Sequence, residues 1–304
     1  MRAKKKTQGS AVGRQAERKL PPGVTLVRTL EGHQGVIRSL AFDPRDGTLA
    51  SGSDDKTVRL WDPLNGEFVR MLNGHSGPVW SLAFNAEHRT LASGGAHETV
   101  KLWEAQSGKL LRTHEGYTGD VSYIAFDPQS RRLACGGLRT LKLWEARSGR
   151  LQRRLEGHQG GVFSLAFDPP GAILASGSDD GTLKLWDVRS GRLLHTMKED
   201  KRNVYTVAFH PLGVMLASGG GDGTVKLWNV QSGSLLRTLE GHTSTVDIIA
   251  VSPDGRLLAS KSHDQTIRLW ICETWETIAV NDAKDSRAHS IVTAGAGRGG
   301  LATP

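Results

Sequence analysis

Leu49-Ala50-Ser51-Gly52-Ser53-Asp54-Asp55-Lys56-Thr57-Val58-Arg59-Leu60-Trp61-Asp62 returns almost unchanged as Leu174-Ala175-Ser176-Gly177-Ser178-Asp179-Asp180-Gly181-Thr182-Leu183-Lys184-Leu185-Trp186-Asp187. Six tryptophans carry the same wording, Trp61, Trp103, Trp144, Trp186, Trp228 and Trp270, at intervals of 42, 41, 42, 42 and 42 residues. Gly-His pairs stand upstream of four of them, at His33, His75, His158 and His242. A fixed period of this size marks one supersecondary unit copied along the chain, each copy too small to bury its own faces.

Within a unit the pattern predicts four short strands. Ile37, Leu40 and Phe42 carry the first, Thr48 to Gly52 the second, Thr57 to Trp61 the third and Glu67 to Leu72 the fourth. The breaks hold turn formers, Asp43-Pro44-Arg45-Asp46-Gly47, Asp54-Asp55-Lys56 and Asn65-Gly66. No stretch keeps a helical period, so the units are expected to stack as small sheets, and a ring leaves them only short, protected edges.

The period, the Gly-His pairs, Leu-Ala-Ser-Gly and Trp-Asp together resemble the WD-repeat β-propeller family over about Val24 to Val280. The resemblance implies an all-β propeller of about six four-stranded blades, six-bladed or incompletely closed, with a truncated seventh unit as the alternative. It divides the chain into an arm (1–23), the propeller (24–280) and an irregular tail (281–304). Val24 to Leu30 matches the fourth-strand wording Ser234 to Leu239, and the resemblance implies a strand that completes the last blade, although Trp275 to Val280 also suits that place.

The chain has 304 residues, 38% of them apolar and 23% charged, with a formal charge of +8 and two cysteines. That composition excludes a disordered tail and a membrane span, and the Lys-rich start carries no apolar run of a secretory signal. Cys135 and Cys272 are too few for a disulfide framework, and a cytoplasmic location is expected. Residues 1–23 hold seven basic residues against Glu17. The repeated region is therefore close to neutral, and the positive excess belongs mostly to the arm.

The resemblance also implies a buried polar network: a second-strand Ser takes the indole N–H, the Gly-His histidine meets that Ser, and an Asp orients the histidine. The sets are His33, Ser51, Asp55, Trp61; His158, Ser176, Asp180, Trp186; and His242, Ser260, Asp264, Trp270. Repeat two has His97 at the Asp position, repeat five has Asp200 at the histidine position, and repeat three has Tyr117, Cys135 and Leu138 beside Trp144. Those three blades are expected to be less firmly braced. Ser, His and Asp together also suggest a hydrolase triad, but the set is repeated, tied to Trp and lacks a Gly-x-Ser-x-Gly elbow. No catalytic residue, metal site or cofactor is expected; Gly219-Gly220-Gly221-Asp222-Gly223 reads as a hairpin turn, not a phosphate cradle.

The family's usual contact positions fall on Arg38, Trp80, Phe163, Tyr205 and Asp247, and on Asp54, Asp179 and His263. Trp, Tyr and Arg are enriched among interface anchors, so these residues point to a protein or peptide partner of unknown identity, with Trp80, Phe163 and Tyr205 as an apolar crescent and Arg38 reaching a carboxylate. A second surface is electrostatic: from Arg131 to Arg154 stand eight basic residues and one acid, Glu145, with Arg131, Arg132, Arg147 and Arg150 in turns of the opposite face. An acidic protein or nucleic acid would suit it, though it lacks the interleaved aromatics that stack bases. The expected role is a non-enzymatic scaffold; the alternative is a regulatory piece of a larger protein.

Overall fold

In the computed structural model, residues 28–85, 87–96, 99–115, 119–199 and 203–282 are described, with side chains up to residue 277. The backbone builds six four-stranded antiparallel blades of strand order one-two-three-four. Blade one is Ile37–Phe42, Leu49–Ser53, Val58–Trp61 and Phe68–Leu72. Blade two runs from Val79–Asn85 to Leu110–His114, blade five from Val204–Phe209 to Leu235–Leu239, and blade six from Val246–Val251 to Thr277–Asp282. Blades three and four share one seven-stranded sheet, because Leu151–Phe167 runs unbroken through the fourth strand of three and the first of four. Its N-terminal half pairs with Leu138–Glu145 and its C-terminal half with Ile173–Ser178. Among the described residues no helix is long and apolar enough to cross a membrane.

Burial follows the order of strands. Second strands such as Leu49–Ser53 and Ile173–Ser178 are buried nearly throughout, whereas Phe68–Leu72 and Leu235–Leu239 expose every residue but the last. The outer strand is therefore solvated and the second strands of blades one to five are covered on both sides, whereas that of blade six alternates.

Those neighbours meet at a glycine. A Cβ added to Gly52, Gly136, Gly177 or Gly219 would come within 2.7–2.9 Å of a Cγ1 of Val79, Val162, Val204 or Val246 in the next blade, and one on Gly94 within 3.0 Å of Val121. Each of those valines is fully buried. The apolar clusters repeat the arrangement: Trp103 packs with Ala50, Leu60 and Leu72 of blade one, and Trp186 with Leu141, Leu143 and Leu155 of blade three. A hydrogen bond spans the same seam, from the Leu82 amide to Ser39 Oγ at 3.1 Å, and likewise from Ile124 to Ser81, Val207 to Ser164 and Ile249 to Thr206.

Five interfaces are built this way among the described residues, and blade six lacks the parts for a sixth. Lys261 stands where the other second strands have glycine, and Ile248 where blades one, two, four and five have Ser39, Ser81, Ser164 and Thr206 and blade three has Tyr123. On the other side Ile37, at the station of the buried valines, is 37% exposed. Of the arrangements expected, a closed six-bladed ring, an incompletely closed one and a truncated seventh unit, these residues disfavour the closed six-bladed ring. Thr277–Asp282 supplies the fourth strand of blade six by pairing with Thr266–Ile271, so that place is not open to Val24–Leu30. Residues 24–27 of that stretch lie outside the described residues. Arg28 and Leu30 lie against Gly66 as Arg70 and Leu72 lie against Gly108, at the position of an outer strand before blade one.

Equal registers with unequal burial give a direct test. Val162→Ala should lower unfolding stability by about 2 kcal/mol or more, while Ile37→Ala should change it by clearly less. Urea denaturation of the two variants measures the difference.

Candidate functional site

The Gly-His network forms in all three repeats that carry it. Trp61 Nε1 donates to Ser51 Oγ at 2.8 Å, Ser51 Oγ lies 2.7 Å from His33 Nε2, and His33 Nδ1 lies 2.7 Å from Asp55 Oδ2. The corresponding distances are 2.9, 2.7 and 2.9 Å for Trp186, Ser176, His158 and Asp180, and 2.9, 2.8 and 2.8 Å for Trp270, Ser260, His242 and Asp264. Burial pulls the His158 imidazole down, against the pull of Asp180, which favours the neutral ring. A neutral ring with Nδ1–H facing Asp180 leaves Nε2 to accept from Ser176, whose oxygen takes the indole proton, so every donor has an acceptor.

Each Asp has a second task that the residue spacing did not reveal. Asp55 accepts from the Thr57 hydroxyl at 2.7 Å and from the amides of Thr57 and Gln34. Thr182 and Thr266 serve Asp180 and Asp264 in the same way. The signal lies in the sequence as Asp-x-Thr, which recurs at Asp55, Asp180, Asp222 and Asp264. Burial alone would raise the Asp180 carboxyl, but Thr182, the Gln159 amide and His158 outweigh it and hold it at about 2. Asp55 and Asp264 are likewise held far below the ordinary carboxylate range.

These serines cannot act as nucleophiles. Ser176 and Ser260 are wholly enclosed and Ser51 is 2% exposed, so a substrate carbonyl has no route to the hydroxyl. Both hydroxyl functions are also engaged, one by the indole and one by the imidazole.

The diverged repeats solve the same problem differently. In repeat two His75 keeps Ser93 at 2.6 Å, but its Nδ1 finds no partner among the described residues; His97 lies outside them. Burial, with Lys101 nearby, pulls His75 down to about 4. In repeat five Asp200 lies outside the described residues, and the histidine's role falls to Glu199. This buried carboxylate accepts from Ser218, and Lys226 Nζ sits 3.6 Å from it and 2.5 Å from Asp222. Blade five therefore has a charged brace where a weaker one was expected. In repeat three His114 of blade two stacks on Trp144 at 4.4 Å.

The residues expected on a partner face do not come together as one set. Phe163 and Tyr205 stack with centroids 5.3 Å apart and planes 13° from parallel, both half-buried. Trp80 is half-buried and has no ring partner among the described residues, so the three do not form one continuous crescent. Arg38 is already engaged: its Nε and Nη2 hold Asp54 at 2.7–3.0 Å, which removes it as a free hook for a carboxylate. Asp247 pairs with Lys261 at 2.8 Å and lies 3.6 Å from His263. Asp179 is exposed and fills the space left by Gly160.

The arginine patch also divides. Arg131, Arg132 and Arg150 line hollows between blades three and four, joined by Arg153 and Arg189. Arg147 is not part of them. Its turn packs on the fourth strand of blade two, where Arg112 donates to the Ser148 carbonyl. Arg189 escaped notice because it comes from the following repeat, three residues after Trp186.

Two measurements check this assignment. Ser176→Ala strands both the indole N–H and the imidazole, and should cost about 1–3 kcal/mol in unfolding free energy. His75 gives the pH dependence. Its folded pKa near 4 lies below the unfolded value of about 6.5, so the unfolded chain takes the proton first. Stability should be full above pH 6.5 and fall toward pH 4, with His114, also pulled down to about 4 by burial and Arg112, adding in the same direction. Urea midpoints against pH should show this slope in the native chain and a shallower one in His75→Gln.

A family model described as "WD domain, G-beta repeat" matches residues 24–62, 66–104, 108–145, 149–187, 191–229 and 233–270. Among curated proteins, the chain is 51% identical over 49 residues to "Ribosome biogenesis protein erb1" of Botryotinia fuckeliana, 16% of this chain and 6% of that one. It is 57% identical over 37 residues to "Periodic tryptophan protein 2 homolog" of Schizosaccharomyces pombe, 12% and 4%. It is 58% identical over 38 residues to "Nuclear distribution protein PAC1" of Tuber melanosporum, 12% and 8%. Each of these alignments spans less than a tenth of the relative's own length. Six family matches at the period of the tryptophans cover most of the chain, which belongs to the WD-repeat family.

Proposed function

We propose that this propeller is a non-catalytic platform that holds a protein or peptide partner on the face carrying the Gly-His connections. The observation that supports it most is the Phe163–Tyr205 stack. Two half-buried rings held parallel offer a rigid apolar surface with a polar rim, and Tyr205 keeps its hydroxyl engaged by Asn203 Nδ2 at 3.1 Å. Rigid aromatics lose little conformational entropy on docking, which is why they dominate interface energetics. Trp80, on blade two, adds a second anchor on the same face, and the exposed Asp179 and His263 lie at its polar margin. Arg38 and Asp54 satisfy each other, so their part is to shape the rim.

Ribosome biogenesis and nuclear distribution appear in the names of the matched relatives. Both are consistent with a scaffold. A cytoplasmic setting is part of the same reading, supported by two cysteines outside any disulfide, Cys135 and Cys272.

Affinity capture followed by mass spectrometry tests the proposal, using the full chain, Trp80→Ala and the Phe163→Ala/Tyr205→Ala pair. A specific protein retained by the full chain should be lost from the pair and weakened by about tenfold or more with Trp80→Ala. Equal recovery on all three baits would refute the aromatic face.

A further inference from the structure

We infer that the groove between blades three and four, on the face opposite the aromatic stack, is a binding site for a phosphorylated side chain of a protein partner. It does not rest on the aromatic-face reading, since the residues and the face are different.

The groove is a hollow of about 270 Å³ lined by Arg132, Arg150, Gln152, Arg153 and Arg189. A second of about 500 Å³ adjoins it through Arg132 and Arg189 and adds Arg131 and Asp187. Five arginines thus line the hollows with one carboxylate, Asp187, while Asp127 and Glu145 approach Arg132 and Arg150 from outside the lining. Asp187 is already engaged by Ser190, whose amide and hydroxyl both donate to Oδ1.

The repeats provide an internal comparison, because every blade junction has the same stations. Arg132 is Thr48, Thr90, Ile173 and Met215 elsewhere; Arg189 is Gln106, Arg147, Gln231 and Glu273. Gln152 replaces Val69, Leu111, Leu194 and Leu236, and Arg150 replaces Glu67, Lys109, Arg192 and Ser234. The Arg153 station keeps a basic type at every one of these junctions, as Arg70, Arg112, His195 and Arg237, and its role is structural, while the Arg150 station is basic at two others, as Lys109 and Arg192. Arg153 Nη2 donates to the Arg189 carbonyl at 3.1 Å, as His195 Nε2 meets the Gln231 carbonyl at 2.9 Å. The fold keeps one basic-type side chain on this carbonyl; blades three and four supply several more.

Those extra cations are held in place and only partly paired. Arg132 Nε donates to Gln152 Oε1 at 3.1 Å and Nη1 lies 3.6 Å from Asp127, which orients the guanidinium and leaves Nη2 without a protein partner among the described residues. Arg150 makes only a long, exposed contact with Glu145 at 3.9 Å. Arg131 and Arg189 make no side-chain hydrogen bond or ion pair among the described residues. Guanidinium forks match phosphate oxygens bidentately, and a phosphorylated side chain carries about −1.5 to −2 charges at neutral pH. The hollow admits a compact anion on a short side chain. A nucleic-acid strand needs an extended track and rings to stack on, and no aromatic side chain lines either hollow.

The test uses the full chain at about 0.15 M ionic strength with three fluorescent probes: a neutral peptide bearing one phosphoserine, its unphosphorylated twin, and a short single-stranded RNA. Anisotropy should show saturable binding of the phosphopeptide and at least about tenfold weaker binding of the other two. Arg132→Gln/Arg189→Gln should abolish the preference, and Arg147→Gln, in the neighbouring junction, should leave it intact. Should the double variant fold poorly, Arg132→Lys/Arg189→Lys keeps both charges while losing the forks, and should bind with intermediate affinity. Equal affinity for both peptides, an undiminished preference in the glutamine or lysine pair, or RNA bound more tightly than the phosphopeptide would each overturn the inference.

Discussion

Everything in this molecule is spaced by a missing Cβ. Where a second strand carries glycine, the valine of the next blade approaches within van der Waals contact of its backbone, and the two sheets close to the distance at which Trp and Leu side chains interlock. A methyl group there would force sheets apart along their whole length, because packed cores do not deform locally. The tryptophan then lies in the closed seam with a polar atom in an apolar place. The Ser-His-Asp relay follows from that burial: it exists to give the indole N–H, and each group behind it, a partner.

The relay tolerates exchange of its parts as long as the donor count is kept. Ser218 meets Glu199 where Ser176 meets His158, and a carboxylate brings a charge that Lys226 answers from 3.6 Å. Burial raises the Glu199 acid while Ser218 and Lys226 oppose it, so the brace in blade five depends on its neighbours more than the imidazole of blade four does. Blade two keeps the imidazole but leaves its Nδ1 without a described partner, and the low His75 pKa follows from that burial. Blades of nearly one sequence thus differ in how they respond to acid.

The architecture was legible from the sequence because repetition averages out local ambiguity: one four-residue strand such as Val58–Trp61 is uninformative, but six in register are not. The relay was legible for the same reason in repeats one, four and six. What stayed hidden needs contacts across repeats. Glu199 and Asp200 are adjacent carboxylates, and spacing alone favoured the second; Arg189 joins the Arg132 hollow only when blade four is laid against blade three. The pairing of Arg38 with Asp54 was hidden too, since it depends on two side chains of one blade turning toward each other.

Blade six departs from other blades at two stations that face a following blade and at one that faces blade five. Lys261 replaces glycine and its ammonium pairs with Asp247; Ile248 stands where blades one, two, four and five have the hydroxyl residue that receives an amide; and Trp275, with φ 62°, holds against blade five the left-handed turn that glycine holds in the other five blades. A left-handed backbone at a bulky residue costs about 1 kcal/mol or more, and it is sustained here because Trp275 packs against the last apolar cluster. Lys261 with Asp247 makes this face of blade six polar, whereas Val36, Ile37 and Phe42 of blade one are apolar and exposed among the described residues. The two ends of the stack are therefore not complementary copies of an ordinary blade interface, and closing them directly would bury the Lys261–Asp247 pair against apolar side chains, at the desolvation cost of both charges.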